Sequence, residues 1–106
     1  MAIQISNTPT IAGHEITLHL GIARGSTVRA RNVARDIFAG LKNIVGGEIS
    51  EYTQLLADSR EEAMQRMLID AQRLGADAVV NVRFTTSNVM QGAAEILAYG
   101  TAVKLK

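Results

Sequence analysis

Glu95-Ile96-Leu97-Ala98-Tyr99-Gly100-Thr101-Ala102-Val103-Lys104-Leu105 decides the fold. Leu97, Tyr99, Val103 and Leu105 fall on one side, and Ile96, Ala98, Gly100 and Ala102 on the other. A strand that is apolar on both sides is an inner strand of its sheet and is covered on both faces. Just upstream, Ala78, Val80, Val82 and Phe84 alternate with Val79, Asn81, Arg83 and Thr85, again with the period of a strand. Asn88-Val89-Met90-Gln91-Gly92 separates the two and supplies a hairpin turn.

A third strand lies far upstream, over residues 15–24. Ile16, Leu18, Leu20 and Ile22 share one face, and Thr17, His19, Gly21 and Ala23 the other. Gly25-Ser26 is expected to break or bulge this strand before Thr27–Ala30 continues it. A short strand at Ala2–Ser6 precedes a turn around Pro9, the only proline.

Two helical patterns occupy the middle of the chain. In residues 32–45, Val33, Ile37, Leu41 and Ile44 form a stripe widened by Phe38 and Val45. Asn32 is its expected N-cap and Gly46-Gly47 its stop, with Gly40 reserved for close packing. In residues 51–74, Leu56, Ala63, Met67, Ala71 and Leu74 share one side, joined by Met64 and Leu68. Asp58, Glu62, Arg66, Asp70 and Arg73 lie opposite, with Glu62–Arg66 and Arg66–Asp70 spaced as i,i+4 pairs. Ser50 is preferred as the start over the capping box Ser59-Arg60-Glu61-Glu62, and Gly75 ends the helix.

Strand, two helices and a hairpin make an α+β domain spanning residues 1–106. The expected sheet is three-stranded and mainly antiparallel, with both helices on one face and a short extra N-terminal strand. Nothing is left to cover the other face, to which the alternation assigns Gly and Ala rather than charge. Exposed patches of that kind mark interfaces, so a homo-oligomer is expected.

Composition narrows the function. Among 106 residues there are 11 Lys and Arg against 10 Asp and Glu, a net charge of +1 that gives no case for a polyanion. With 4 % aromatic residues, two of them, Phe38 and Phe84, on core faces, nucleic-acid binding is not expected. The absence of cysteine excludes disulfides, thiol nucleophiles and zinc ribbons. No apolar run is long enough for a transmembrane helix and no signal peptide is visible, so a cytoplasmic location is expected.

Few residues suggest chemistry. His14, Glu15 and His19 are candidate ligands for a divalent metal, but five residues of strand put the histidines on opposite faces, so a site would need a neighbouring subunit. Arg24, Arg29, Arg31 and Arg35 crowd a segment that leads into a helix N-terminus, where an anion could bind. Residues 48–62 carry Glu48, Glu51, Asp58, Glu61 and Glu62, so pairing between subunits in a head-to-tail ring is preferred to anion binding. Asp36 and Glu48 could form a carboxylate pair across the first helix, but Asp36 follows Arg35 and reads as a solvated or salt-bridged helix residue of that interface or anion-binding segment. No serine lies in a Gly-x-Ser-x-Gly setting, no Walker or GxGxxG pattern occurs, and no catalytic residue is assigned.

Arg35-Asp36, Ala39-Gly40-Leu41, Asn43-Ile44-Val45-Gly46-Gly47 and Tyr52 together resemble the signature of the YbjQ-like family. Leu74-Gly75-Ala76-Asp77-Ala78-Val79-Val80 and Tyr99-Gly100-Thr101-Ala102-Val103 resemble its later blocks, so the likeness covers nearly the whole chain. The family carries a heavy-metal-binding label and no characterised activity. The resemblance implies a dodecin-like subunit and a ring-shaped homopentamer, in which residues 2–6 would add an edge strand to a neighbour. It marks Gly40, Gly46, Gly47, Tyr52, Gly75 and Gly100 as structural positions. The expected function is therefore a non-enzymatic, ring-forming binding or scaffold protein. The alternative is a heavy-metal-binding protein with sites at subunit junctions.

Overall fold

The structure, a computed structural model, describes residues 2–29, 50–90 and 93–106, with side chains at 2–28, 56–87 and 94–106. In chain order the elements are β1 (Gln4–Ile5), β2 (Ile16–Arg29), α1 (Ser50–Arg73), β3 (Ala78–Met90) and β4 (Ala93–Leu105). The class is α+β, but the expected architecture is corrected in two ways. Among the described residues the sheet is four-stranded and mixed, in the order β1-β3-β4-β2, rather than three-stranded and mainly antiparallel. Among the described residues there is one helix rather than two; the helix expected over 32–45 lies outside them.

The mixed sheet arises because β1 pairs in parallel with β3 of its own chain, Gln4 opposite Ala78 and Ile5 opposite Val79. The main-chain N–H groups of Gln4 and Ser6 donate to Asp77 and Val79, and that of Val82 donates to Ser6. The N-terminal segment thus covers the start of the edge of its own β3, residues 78–82. β4 is an inner strand between β3 and β2, as its two-sided apolar pattern requires. The hairpin strands run further than expected, to Met90 and from Ala93, into the span read as a loop.

α1 lies on one face of the sheet, chiefly along β2 and less over β4. Ser59, Ala63, Met67 and Ala71, four residues apart, are all fully buried against it. Gly25 is the point of closest approach: a Cβ there would stand 2.2 Å from the Met67 amide nitrogen and 2.6 Å from the Ala63 carbonyl oxygen. The strand does not break at Gly25-Ser26; the absent side chain seats the helix on an unbroken β2. The Thr27 hydroxyl, buried beside it, donates to the Ser59 carbonyl. α1 continues through Ser59, so the sequence Ser59–Glu62 is helix interior rather than a cap. At the other end Ala76 N–H bonds Ala71 O and Gly75 N–H bonds Gln72 O, a Schellman motif with Gly75 at φ +82°.

The expected assignment of faces is also corrected. Residues opposite each other on paired strands share a face. Ala23 lies opposite Gly100, Gly25 opposite Ala98 and Thr27 opposite Ile96, and this small-residue face is the one α1 covers. The face turned away carries Ile22 opposite Thr101, Arg24 opposite Tyr99, Ser26 opposite Leu97 and Val28 opposite Glu95. The two register shifts in β2, between Ile16 and Leu18 and between His19 and Gly21, turn over only the residues between them and then cancel, so Ile16 and Ile22 share the outer face as simple alternation has it. What differs is the side the helix takes: α1 approaches backbone to backbone at Gly25 and covers the small-residue face.

Candidate functional site

One end of this outer face is closed. Ile11, in the loop before β2, packs over Ala78, Val80 and Val103, with Ile16 and Leu105 at the margin. The remainder is open. Ile22 is 66 % exposed, Val28 55 % and Tyr99 36 %, with Leu97 half-buried between them. Tyr99 lies between Arg24 on β2 and Arg83 on β3. Arg83 is held by hydrogen bonds to the Asn7 carbonyl at 2.7 Å and to its neighbour Val82. The result is an apolar strip flanked at Tyr99 by a cation on each neighbouring strand.

The expected site residues divide by position. Arg24 stands on this face, Arg29 ends β2, and Arg31, Arg35 and Asp36 lie outside the described residues, as do Gly40, Gly46 and Gly47. Tyr52 falls within α1. Gly100, on the face α1 covers, lies against Val79 and the Val80 carbonyl. His19 is exposed on the outer face opposite Val103. His14 is exposed in the turn before β2, its amide bonded to Ile11 O, beside a cavity of about 270 Å³ that also touches Asp77 and Lys106. Glu15 is exposed too, and its carbonyl accepts from Lys106 N–H. Among the described residues no group of three His, Cys, Asp or Glu could hold a metal. Soft metals also prefer thiolates, which the chain lacks, so the described part of one chain does not fit a heavy-metal centre.

Two aspartates, Asp70 and Asp77, tie distant segments together. Asp70 accepts the Arg24 N–H at 3.0 Å and pairs with Arg73; the amide hydrogen bond, aided by Arg73 against partial burial, lowers its pKa. Asp77 accepts the Leu105 N–H at 2.9 Å and lies 3.6 Å from Lys104 Nζ; the Leu105 amide is the main cause of its lowered pKa. Their folded-state pKa values lie below the ~3.9 of an unfolded aspartate. Their contribution to stability is therefore complete above that value and is lost as pH falls through the folded pKa. The melting temperature is expected to drop as pH falls below about 4 and through the folded-state values, and Asp77→Asn to flatten that drop. A profile that is flat in the wild type would contradict both pairings.

The family model YbjQ_1, described as "Putative heavy-metal-binding", matches residues 3–106. The chain belongs to the YbjQ_1 family. Its relatives in this family include a UPF0145 protein of Archaeoglobus fulgidus, 62 % identical over 104 residues, which cover 98 % of this chain and 96 % of the relative. A UPF0145 protein of Methanosarcina acetivorans is 61 % identical over 101 residues, 95 % of each chain. In fold, the YbjQ_1 chain is similar to a Pediococcus pentosaceus protein of unknown function from the family DUF74. The TM-score is 0.64 at 16 % identity, with 98 % of each chain covered. No helix among the described residues is long and apolar enough to cross a membrane.

Proposed function

We propose that the chain is one subunit of a homo-oligomeric ring that serves as a non-enzymatic binding or scaffold module, and that subunits meet through the outer face of the sheet. The observation that carries this is the open strip of Ile22, Val28, Leu97 and Tyr99. A monomer would leave that apolar strip in water. The family resemblance suggests five subunits. Unlike charge suits a head-to-tail contact, with the Arg24 and Arg83 row of one copy facing the acidic positions around Asp58 and Glu61 of the next.

Native mass spectrometry of the untreated protein tests this and reads subunit number and bound mass together. The expected result is a bare multiple of the chain mass. A multiple carrying one metal ion per subunit would favour the alternative suggested by the family description, a metal at each subunit junction held by His14, Glu15 and His19. A single chain mass would contradict the ring.

A further inference from the structure

Among the described residues, β2 is the outer strand of the sheet and has only β4 as a ladder partner. The outward N–H and C=O groups of such a strand are a template for pairing with another chain. At the middle of β2 they are already occupied. The Arg24 N–H points away from β4 and donates to Asp70 Oδ2 at 3.0 Å. Two residues along the same edge, the Ser26 carbonyl accepts from Arg66 Nη1 at 2.6 Å.

The geometry follows from simple dimensions. Four residues of α-helix rise about 6 Å, and two residues of strand advance about 6.6 Å. Arg66 and Asp70 on α1 are therefore spaced to meet residues 24 and 26 of a strand lying beside the helix. The chemistry is matched as well, a carboxylate to the donor and a guanidinium to the acceptor. Each is held from its far side: Glu62 binds Arg66 Nη2 at 2.6 Å, and Arg73 pairs with Asp70. Asp70 is only 15 % exposed. Gly25, between the two guarded positions, brings the helix backbone close enough for both side chains to reach.

We propose that Arg66 and Asp70 form an edge guard that closes β2 to strand addition by a second copy of this chain. Copies then meet through the face of the sheet and not through this edge. The inference stands apart from the ring, because a monomer with an open edge would need the guard equally.

Two measurements test it. Light scattering at fixed concentration compares the wild type with Arg66→Ala/Asp70→Ala and with Asp70→Asn, whose amide oxygen still accepts from Arg24. The double variant is expected to grow steadily in mass while keeping its helical circular dichroism, and Asp70→Asn to hold the wild-type mass. A folded double variant that keeps the wild-type mass would overturn the proposal. Amide exchange decides the matter if the double variant unfolds. The Arg24 amide is expected to exchange about tenfold faster or more in Asp70→Ala than in the wild type, with protection retained in Asp70→Asn. Equally fast exchange in all three would mean that the edge is open already and would overturn it.

Discussion

Gly25→Ala is expected to destabilise the fold by about 3 kcal/mol or more. The added methyl would lie 2.2 Å from Met67 N, 2.5 Å from the Arg66 carbonyl carbon and 2.6 Å from Ala63 O. All three are helix backbone atoms, so no side chain can swing aside to make room. Relief requires α1 to lift from β2, which loosens the contacts of the fully buried Met67 and Ala63 with the sheet. It would also pull Arg66 and Asp70 away from Ser26 and Arg24. Urea unfolding measures this. A variant within about 1 kcal/mol of the wild type would mean that the helix does not seat at Gly25.

Ile22→Glu is expected to separate the subunits while leaving each subunit folded. In a single subunit Ile22 is 66 % exposed, and a carboxylate at such a position alters stability by about 0.5 kcal/mol or less. In an assembly that covers the outer face, the same carboxylate would be stripped of water opposite Thr101 and pressed against the partner's surface, with only Arg24, two residues along the strand, to offset its charge. Burying an incompletely compensated charge costs about 3–5 kcal/mol, which weakens each contact more than about a hundredfold. The diagnostic combination is lost assembly with an unchanged circular dichroism spectrum. Assembly equal to the wild type would remove the outer face as the contact surface.

Much of the fold was legible because it is periodic. The two-sided apolar strand at 95–105, the stripe Ala63-Met67-Ala71 and the stop at Gly75 all follow from local spacing, and all three stand in the structure. What failed has identifiable causes. Gln4–Ile5 is two residues long, too short to carry a period, and its parallel partner is more than seventy residues away. Ile22 and Ala23 stand on opposite faces as alternation has them, but alternation does not say which face the helix covers, and it is that of the fully buried Ala23. The shifts before Leu18 and Gly21 turn over only the residues between them, and a bulge leaves little trace in composition. Large apolar residues were assigned to the covered face, yet a helix that approaches backbone to backbone selects Gly25, Ala98 and Ala102 instead. The candidate interface was therefore visible in kind, as an uncovered sheet face, but its residues were not. Arg66 and Asp70 read as partners at i,i+4; in the structure each reaches across to β2, a long-range contact that helical spacing cannot encode.

Sedimentation velocity of the wild type beside Ile22→Glu, at the same micromolar concentration, tests the outer-face assembly most directly. The wild type is expected to sediment as one species of several subunits and Ile22→Glu as a folded single subunit. A wild type that sediments as a single subunit, or an Ile22→Glu that sediments with it as the same oligomer, would contradict assembly through this face.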